Sequence, residues 1–168
     1  MTAEWFKENI YILSDQMYRF AKSILQSEED AKDLVQNILM GFWQKGNELK
    51  TIRNLKGYAM STVRNAALNY LRGNAVKEKH YKIIRMYADD AESPPAHFRD
   101  ILDSILEGLP VKQRMVFHLK DVEGYETREI AGLLEMDENA VRVNLSRARN
   151  AARLKLLETD VYEKRSVR

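Results

Sequence analysis

Cysteine is absent from the 168 residues, so neither a disulfide staple nor a thiolate metal site is available. Proline occurs three times and glycine seven times, too seldom to punctuate a chain of many short strands and tight turns. No run of about 18 apolar residues is found, and the candidate apolar stretch in MTAEWFKENIYILSDQ is interrupted by acids. With neither a secretory leader nor a membrane span visible, the expectation is a soluble cytoplasmic protein. His80, His97 and His118 lie far apart, without metal-ligand spacing. A glycine-rich phosphate loop, a nucleophile motif and a convincing carboxylate pair are all missing, so no catalytic residue, metal, cofactor or small-molecule substrate is expected.

What remains is an apolar content of 45%, enough to bury the core of one ordinary domain or two small ones. No stretch shows the period-two alternation of a half-buried strand, and the class predicted is all-α. The net charge of +2 conceals a pattern. From Gln44 to Lys79 eight cations face two acids; from Ala88 to Glu107 six acids face one cation; from Glu138 to Leu157 five cations face one acid. Two basic blocks flanking an acidic one predict two separate polyanion-facing surfaces.

Helix signals follow in order. Ile10, Leu13, Met17, Phe20 and Ile24 form one amphipathic stripe. Ser27, followed by three acids, starts a second helix over about residues 28–45, with Leu34, Ile38 and Phe42 inward; Trp43 is expected in the core, whereas an exposed ring there would mark an interface anchor. A third helix resumes at Leu55 and is expected to stop near Gly73. The acidic MYADDAESPPAHF reads as a linker. Four further helices are predicted: FRDILDSILEGL, a helix opened by Pro110 and closed by Gly124, TREIAGLLEM, and a last one capped by Asp137.

On that last helix Val141, Leu145, Ala148 and Ala152 fall within an arc of roughly 60°. Arg142, Ser146, Arg149 and Arg153 share a second arc, with Asn139, Val143 and Arg147 beside it. One side can pack on IAGLL while the other offers guanidinium groups and short side chains to a major groove. A solvated basic helix on an ordinary bundle has the same wheel; the preceding helix at helix-turn-helix spacing favours DNA binding.

LPVKQRMVFHLKDVEGY with EIAGLLEMDENAVRVNLSRARNAARLKL resembles the fourth conserved region of the extracytoplasmic-function (group IV) sigma factors of bacterial RNA polymerase. SEEDAKDLVQNILMGFWQ and YAMSTVRNAALNYLR resemble the second region of the same family, in the same order along the chain. The resemblance implies two small helical domains: region 2 over residues 1–86, a linker over 87–97, region 4 over 98–157 and a flexible tail over 158–168. It implies that Asn139, Arg142, Val143, Asn144, Ser146 and Arg147, with Arg149 on the same basic face, meet the minus-thirty-five duplex. Lys50, Arg53, Lys56, Tyr58, Asn65 and Asn69 would meet the unpaired minus-ten strand, which needs cations for phosphates, amides for base edges and rings for stacking. Tyr58 and Tyr70 could equally be core. Asp33, Gln36 and Asn37 would face the clamp helices of the largest subunit of core RNA polymerase. The implied activity is promoter selection and strand opening, with promoter DNA and an anti-sigma factor as further partners; the acidic linker would follow the RNA path or serve only as a tether. A stand-alone helix-turn-helix regulator is the rival reading. The sequence departs from the family pattern at Glu135, where the turn usually has glycine, at Ala140 and at Asn144. The first departure is expected to strain the backbone by about 1 kcal/mol.

Overall fold

The computed structural model describes the backbone of residues 1–81 and 105–166 and the side chains of residues 1–74 and 105–157. The acidic linker, His80 and His97 lie outside the described side chains. Every regular element among the described residues is helical. Thr2 accepts from the Trp5 amide and starts α1 (Ala3–Asn9), and a 3₁₀ turn (Tyr11–Leu13) leads into α2 (Ser14–Leu25). The stripe read as one amphipathic helix is thus broken in two, yet Ile10, Met17, Phe20 and Ile24 are all buried. Ser27 accepts from the Asp30 amide at 3.2 Å and opens α3 (Glu28–Lys45), three acids lying where the helix dipole favours them.

A 3₁₀ turn (Gly46–Thr51) connects to α4 (Leu55–Tyr81), whose start is capped by Asn54 Oδ1 accepting from the Gly57 amide at 2.8 Å. α4 passes straight through Gly73, where termination was expected. One glycine costs a helix interior about 1 kcal/mol, too little to end it when good helix formers follow.

In the C-terminal half Pro110 is the N-cap of α5 (Val111–Phe117), which continues into a π-helical turn (His118–Val122) closed by Gly124 at φ 73°. The Glu126–Glu129 capping box then starts α6 (Thr127–Leu134). α7 (Glu138–Ser166) follows and runs into the charged segment expected to fray.

The two halves pack on each other around a continuous apolar cluster. It extends from Phe20, Val35, Met60 and Val63 to Val116, Leu119, Ile130 and Val141; a smaller cluster of Leu106, Leu109 and Ala148 lies beneath α7. Phe20 stacks on His118 across the junction, ring centroids 5.9 Å apart.

Polar contacts complete the junction. Arg114 is buried and donates to the carbonyls of Ser23 (3.0 Å), Ile24 (2.9 Å) and Leu109 (2.7 Å). Ser23 and Ile24 stand in the last turn of α2, where backbone carbonyls lack intrahelical partners, so the guanidinium satisfies a helix end in the other half. Arg19 and Gln16 donate to Glu123 at 2.8–3.0 Å. Nε2 of His118 lies 3.3 Å from the same carboxylate.

Candidate nucleic-acid interface

The first candidate surface is built on α7. Asp137 Oδ1 accepts from the Ala140 amide at 2.7 Å, fixing where the helix begins. Val141, Leu145, Ala148 and Ala152 are buried, as their spacing predicted, which turns Asn139, Arg142, Val143, Ser146 and Arg147 outward. These side chains are not equally available. Arg142 donates to Glu138 at 2.8 Å, an exposed i, i+4 pair that a phosphate can displace at little cost. Arg149 is held by both oxygens of Asp121, at 2.6 and 2.9 Å, and this hydrogen bonding raises its pKa. The π-helical turn is what presents Asp121 to α7. Asn144 turns its amide back onto the carbonyl of Ala140 at 2.8 Å. Arg147, by contrast, has no ion pair among the described residues, and with Val143, Ser146 and Asn139 it forms the open part of the face.

A second surface lies on α4 and the turn before it. Tyr58, Asn65 and Asn69 are spaced by seven and four residues and share one side of the helix. Asn65, Asn69, Lys50, Arg53 and Lys56 are exposed, while Tyr58 is half-buried. Tyr58 stacks on Phe42 at 5.4 Å, and its hydroxyl receives a hydrogen bond from Lys45, so the ring is partly core and partly surface. Tyr70 is exposed and donates to Asp30 at 2.6 Å. Asn65 and Asn69 already accept from Arg64 (3.0 Å) and Arg72 (2.7 Å), which orients both amides. The loop cations are positioned by rings: Lys50 lies 5.6 Å from the Trp5 ring and Lys56 4.7 Å from the ring of Tyr125 in the other half.

Lys56 and Tyr58 line a cleft of about 400 Å³ between the halves, together with Ser61, Tyr125 and Arg128. The sequence reading missed Ser61 and Arg128. Each lies within a quoted helical stretch but at a position to which spacing assigned no role, and only the docking of α6 against α4 brings them together.

The third surface is the outer side of α3, where Asp33, Gln36 and Asn37 are exposed. Trp43 is a correction: expected in the core, it is 48% exposed and meets Phe6 edge-on at 5.2 Å. Positions 36, 40 and 43 follow one stripe while 35, 38 and 42 follow the buried one. Met40, 60% exposed, therefore joins Trp43 in an apolar ridge beside the polar residues. Spacing alone could have shown this; residue type argued the other way.

No group of three His, Cys, Asp or Glu able to hold a metal ion occurs among the described residues. No described helix is long and apolar enough to cross a membrane.

A helix-turn-helix with an outward basic face, joined to a helical bundle carrying a second cationic and amide-bearing surface, defines a two-part, all-α nucleic-acid-binding protein. Residues 13–76 match the family model described as Sigma-70 region 2, and residues 99–151 the one described as Sigma-70, region 4. The chain is 27% identical over 157 residues to the RNA polymerase sigma-E factor of Streptomyces coelicolor, covering 93% of this chain and 88% of that protein. It is 26% identical over 153 residues to the RNA polymerase sigma factor SigV of Bacillus subtilis, covering 86% of each. To the probable RNA polymerase sigma factor RfaY of Xanthomonas campestris it is 27% identical over 147 residues, spanning 37% of that protein's length. The sigma factor RpoE, solved with the anti-sigma factor NepR from Bartonella quintana, shares the fold, with a TM-score of 0.76 at 22% identity over 92% of this chain and 98% of that one. The chain belongs to the sigma-70 family, in its extracytoplasmic-function group, as a bacterial sigma factor carrying regions 2 and 4.

Proposed function

We propose that this chain acts in the cytoplasm as the promoter-specificity subunit of RNA polymerase, directing the core enzyme to a set of promoters and assisting strand opening without catalysis of its own. What carries the reading is the coexistence of two separate polyanion-facing surfaces in one chain, matched in order by sigma regions 2 and 4. In this reading region 2 spans residues 1–86, region 4 spans 98–157, and the linker between them spans 87–97.

Arg147, Ser146, Val143 and Asn139, with Arg142 after its release from Glu138, read the upstream duplex; arginines serve phosphates and guanine edges, and small side chains admit the backbone. Asn144 and Arg149 are spent internally in the free chain and reach DNA only by rotating away from Ala140 and Asp121. On α4 the amides of Asn65 and Asn69 take base edges of the unpaired strand, the ring of Tyr58 offers a stacking surface, and Lys50, Arg53 and Lys56 neutralise phosphates. Asp33, Gln36 and Asn37 dock on the clamp of the largest polymerase subunit, with Trp43 as apolar anchor. An anti-sigma factor that covers these surfaces is the natural antagonist.

Asn65→Ala tests the residue assignment. Promoter opening detected by permanganate is expected to fall by about tenfold, on the order of one lost base-edge contact of 1–3 kcal/mol, with core binding intact. An equal loss of core binding would place Asn65 in the scaffold.

A further inference from the structure

None of the seven residues of α1 (Ala3–Asn9) is fully buried, so filling the core does not by itself account for where this helix lies. Its placement is nevertheless fixed. The Trp5 amide donates to the Thr2 hydroxyl at 3.3 Å, the Trp5 carbonyl accepts from the Asn9 side chain at 2.8 Å, and Phe6 meets Trp43 of α3 edge-on. These contacts hold α1 beside the end of α3. The Trp5 ring packs partly on the core and is half-buried, with the ammonium of Lys50 over it at 5.6 Å from its centre. Lys50 belongs to the turn between α3 and α4 (Gly46–Thr51) and is itself exposed.

A surface that holds an unpaired strand combines cations for the phosphates with rings for the bases. The strand-reading set proposed for this chain is rich in the first and poor in the second. Its one ring, Tyr58, stacks on Phe42 and is bonded through its hydroxyl to Lys45, so one face is taken. Trp5 supplies a second, larger ring, paired with a cation of the same set. The two ring and cation pairs bracket the turn, Lys45 with Tyr58 before it and Lys50 with Trp5 near its end.

We propose that Trp5 is a further strand-binding residue: an unpaired base stacks on its ring in the place held by Lys50, and the released ammonium moves to a neighbouring phosphate. A cation over a ring in water is held more weakly than a stacked base, and the polyanion itself draws the ammonium away, so the exchange runs toward the bound strand. The inference rests on the reading of this turn and α4 as the strand-reading surface. The rival is a surface pair that only tethers α1 to the turn.

Trp5→Leu keeps an apolar side chain against the core and removes the ring; Trp5→Phe keeps a ring. Binding of the full chain to a mixed-sequence single-stranded DNA of about 12 nucleotides is read by anisotropy. The Leu variant is expected to bind about tenfold more weakly, as for one lost base stack, with its circular dichroism and its binding to a duplex of the same length unchanged. The Phe variant is expected to stay within about threefold of the parent. The chain has two tryptophans, which allows a second readout. Replacing thymine by 5-bromouracil, whose heavy atom quenches a stacked indole, is expected to lower the emission of the parent but not that of Trp5→Phe, where Trp43 alone remains. Unchanged affinity in the Leu variant, an equal loss with Leu and Phe, an equal loss on duplex and single strand, or bromouracil quenching that persists in the Phe variant would each overturn the inference. Asn65→Ala in the same assay separates the two levels. If it weakens single-strand binding while Trp5→Leu does not, the strand-reading surface stands and the role of Trp5 falls. If the parent binds no single strand, both fall together, whereas failure of the sigma-factor reading would show as no complex with core enzyme.

Discussion

Replacing Arg114 by leucine removes all three donors of a buried guanidinium while keeping most of its volume. The carbonyls of Ser23, Ile24 and Leu109 then lose the partners they have at 2.7–3.0 Å, and packing leaves little space for water to replace them. A hydrogen bond from a charged donor contributes about 1.5–3 kcal/mol, and release from burying the guanidinium offsets part of the sum, so the net loss is expected near 3 kcal/mol. A chain of this length loses roughly 2–4 °C of midpoint per kcal/mol, which puts the drop at about 6–12 °C. Circular dichroism at the helical minimum, followed through thermal and urea unfolding, measures it. Because two of the three bonds join the halves, the transition is also expected to broaden or split, with region 4 melting apart from region 2. A midpoint within about 2 °C of the parent, below what a single such bond supplies, and an unbroken single transition would refute the reasoning, since the halves would then be held by apolar contact alone.

Burial pushes the Glu123 carboxyl up, but His118, Arg19 and Gln16 together outweigh it and hold the pKa at about 2. A carboxylate with a depressed folded-state pKa contributes stability that is present above the unfolded value near 4.5 and lost as pH falls toward 2. Glu123→Gln should therefore be less stable than the parent at neutral pH and approach it through that window, as urea midpoints across pH would show. Asp137→Ala removes the cap of α7 and should cost about 1 kcal/mol by denaturant titration; a neutral result would mean that the helix start is fixed by packing. Trp43→Ala is expected to weaken binding to core polymerase by about 2 kcal/mol, or roughly thirtyfold in Kd, with the melting midpoint nearly unchanged because the ring is half exposed. Arg147→Ala should reduce promoter-specific transcripts about tenfold, as for one lost base or phosphate contact, whereas Arg149→Ala should act mainly on stability through Asp121.

Local physics was readable from the residues. Ser27, Asp137 and Gly124 act where capping and turn chemistry put them, and the left-handed strain expected at Glu135 is present at φ 55°. The buried stripe of α7 also follows from its 3.6-residue period. What could not be read is non-local. Arg114 and Arg64 look like ordinary cations in sequence, yet each is buried and bound to carbonyls in the opposite half; no periodicity announces a partner some seventy to ninety positions away. Trp43 misled because a large apolar ring argues for the core by type, whereas its position on α3 argues for the surface. Gly73 misled because a weak local penalty was weighed without the helix formers that follow it. Of the candidate site, the exposed residues of α7 emerged in the expected arrangement, but the internal engagement of Asn144 and Arg149 depends on side-chain choices that a wheel does not contain.

The central claim is that this chain gives specificity to a larger enzyme and does not act alone. Run-off transcription with purified core RNA polymerase, with and without the chain, over fragmented genomic DNA tests it most directly. New discrete start sites that require the chain, preceded by a shared pair of upstream elements and lost with Arg147→Ala or Asn65→Ala, are the predicted result. Transcripts unchanged by the chain, together with tight binding of the isolated protein to a palindromic duplex, would contradict the account and identify a self-sufficient regulator.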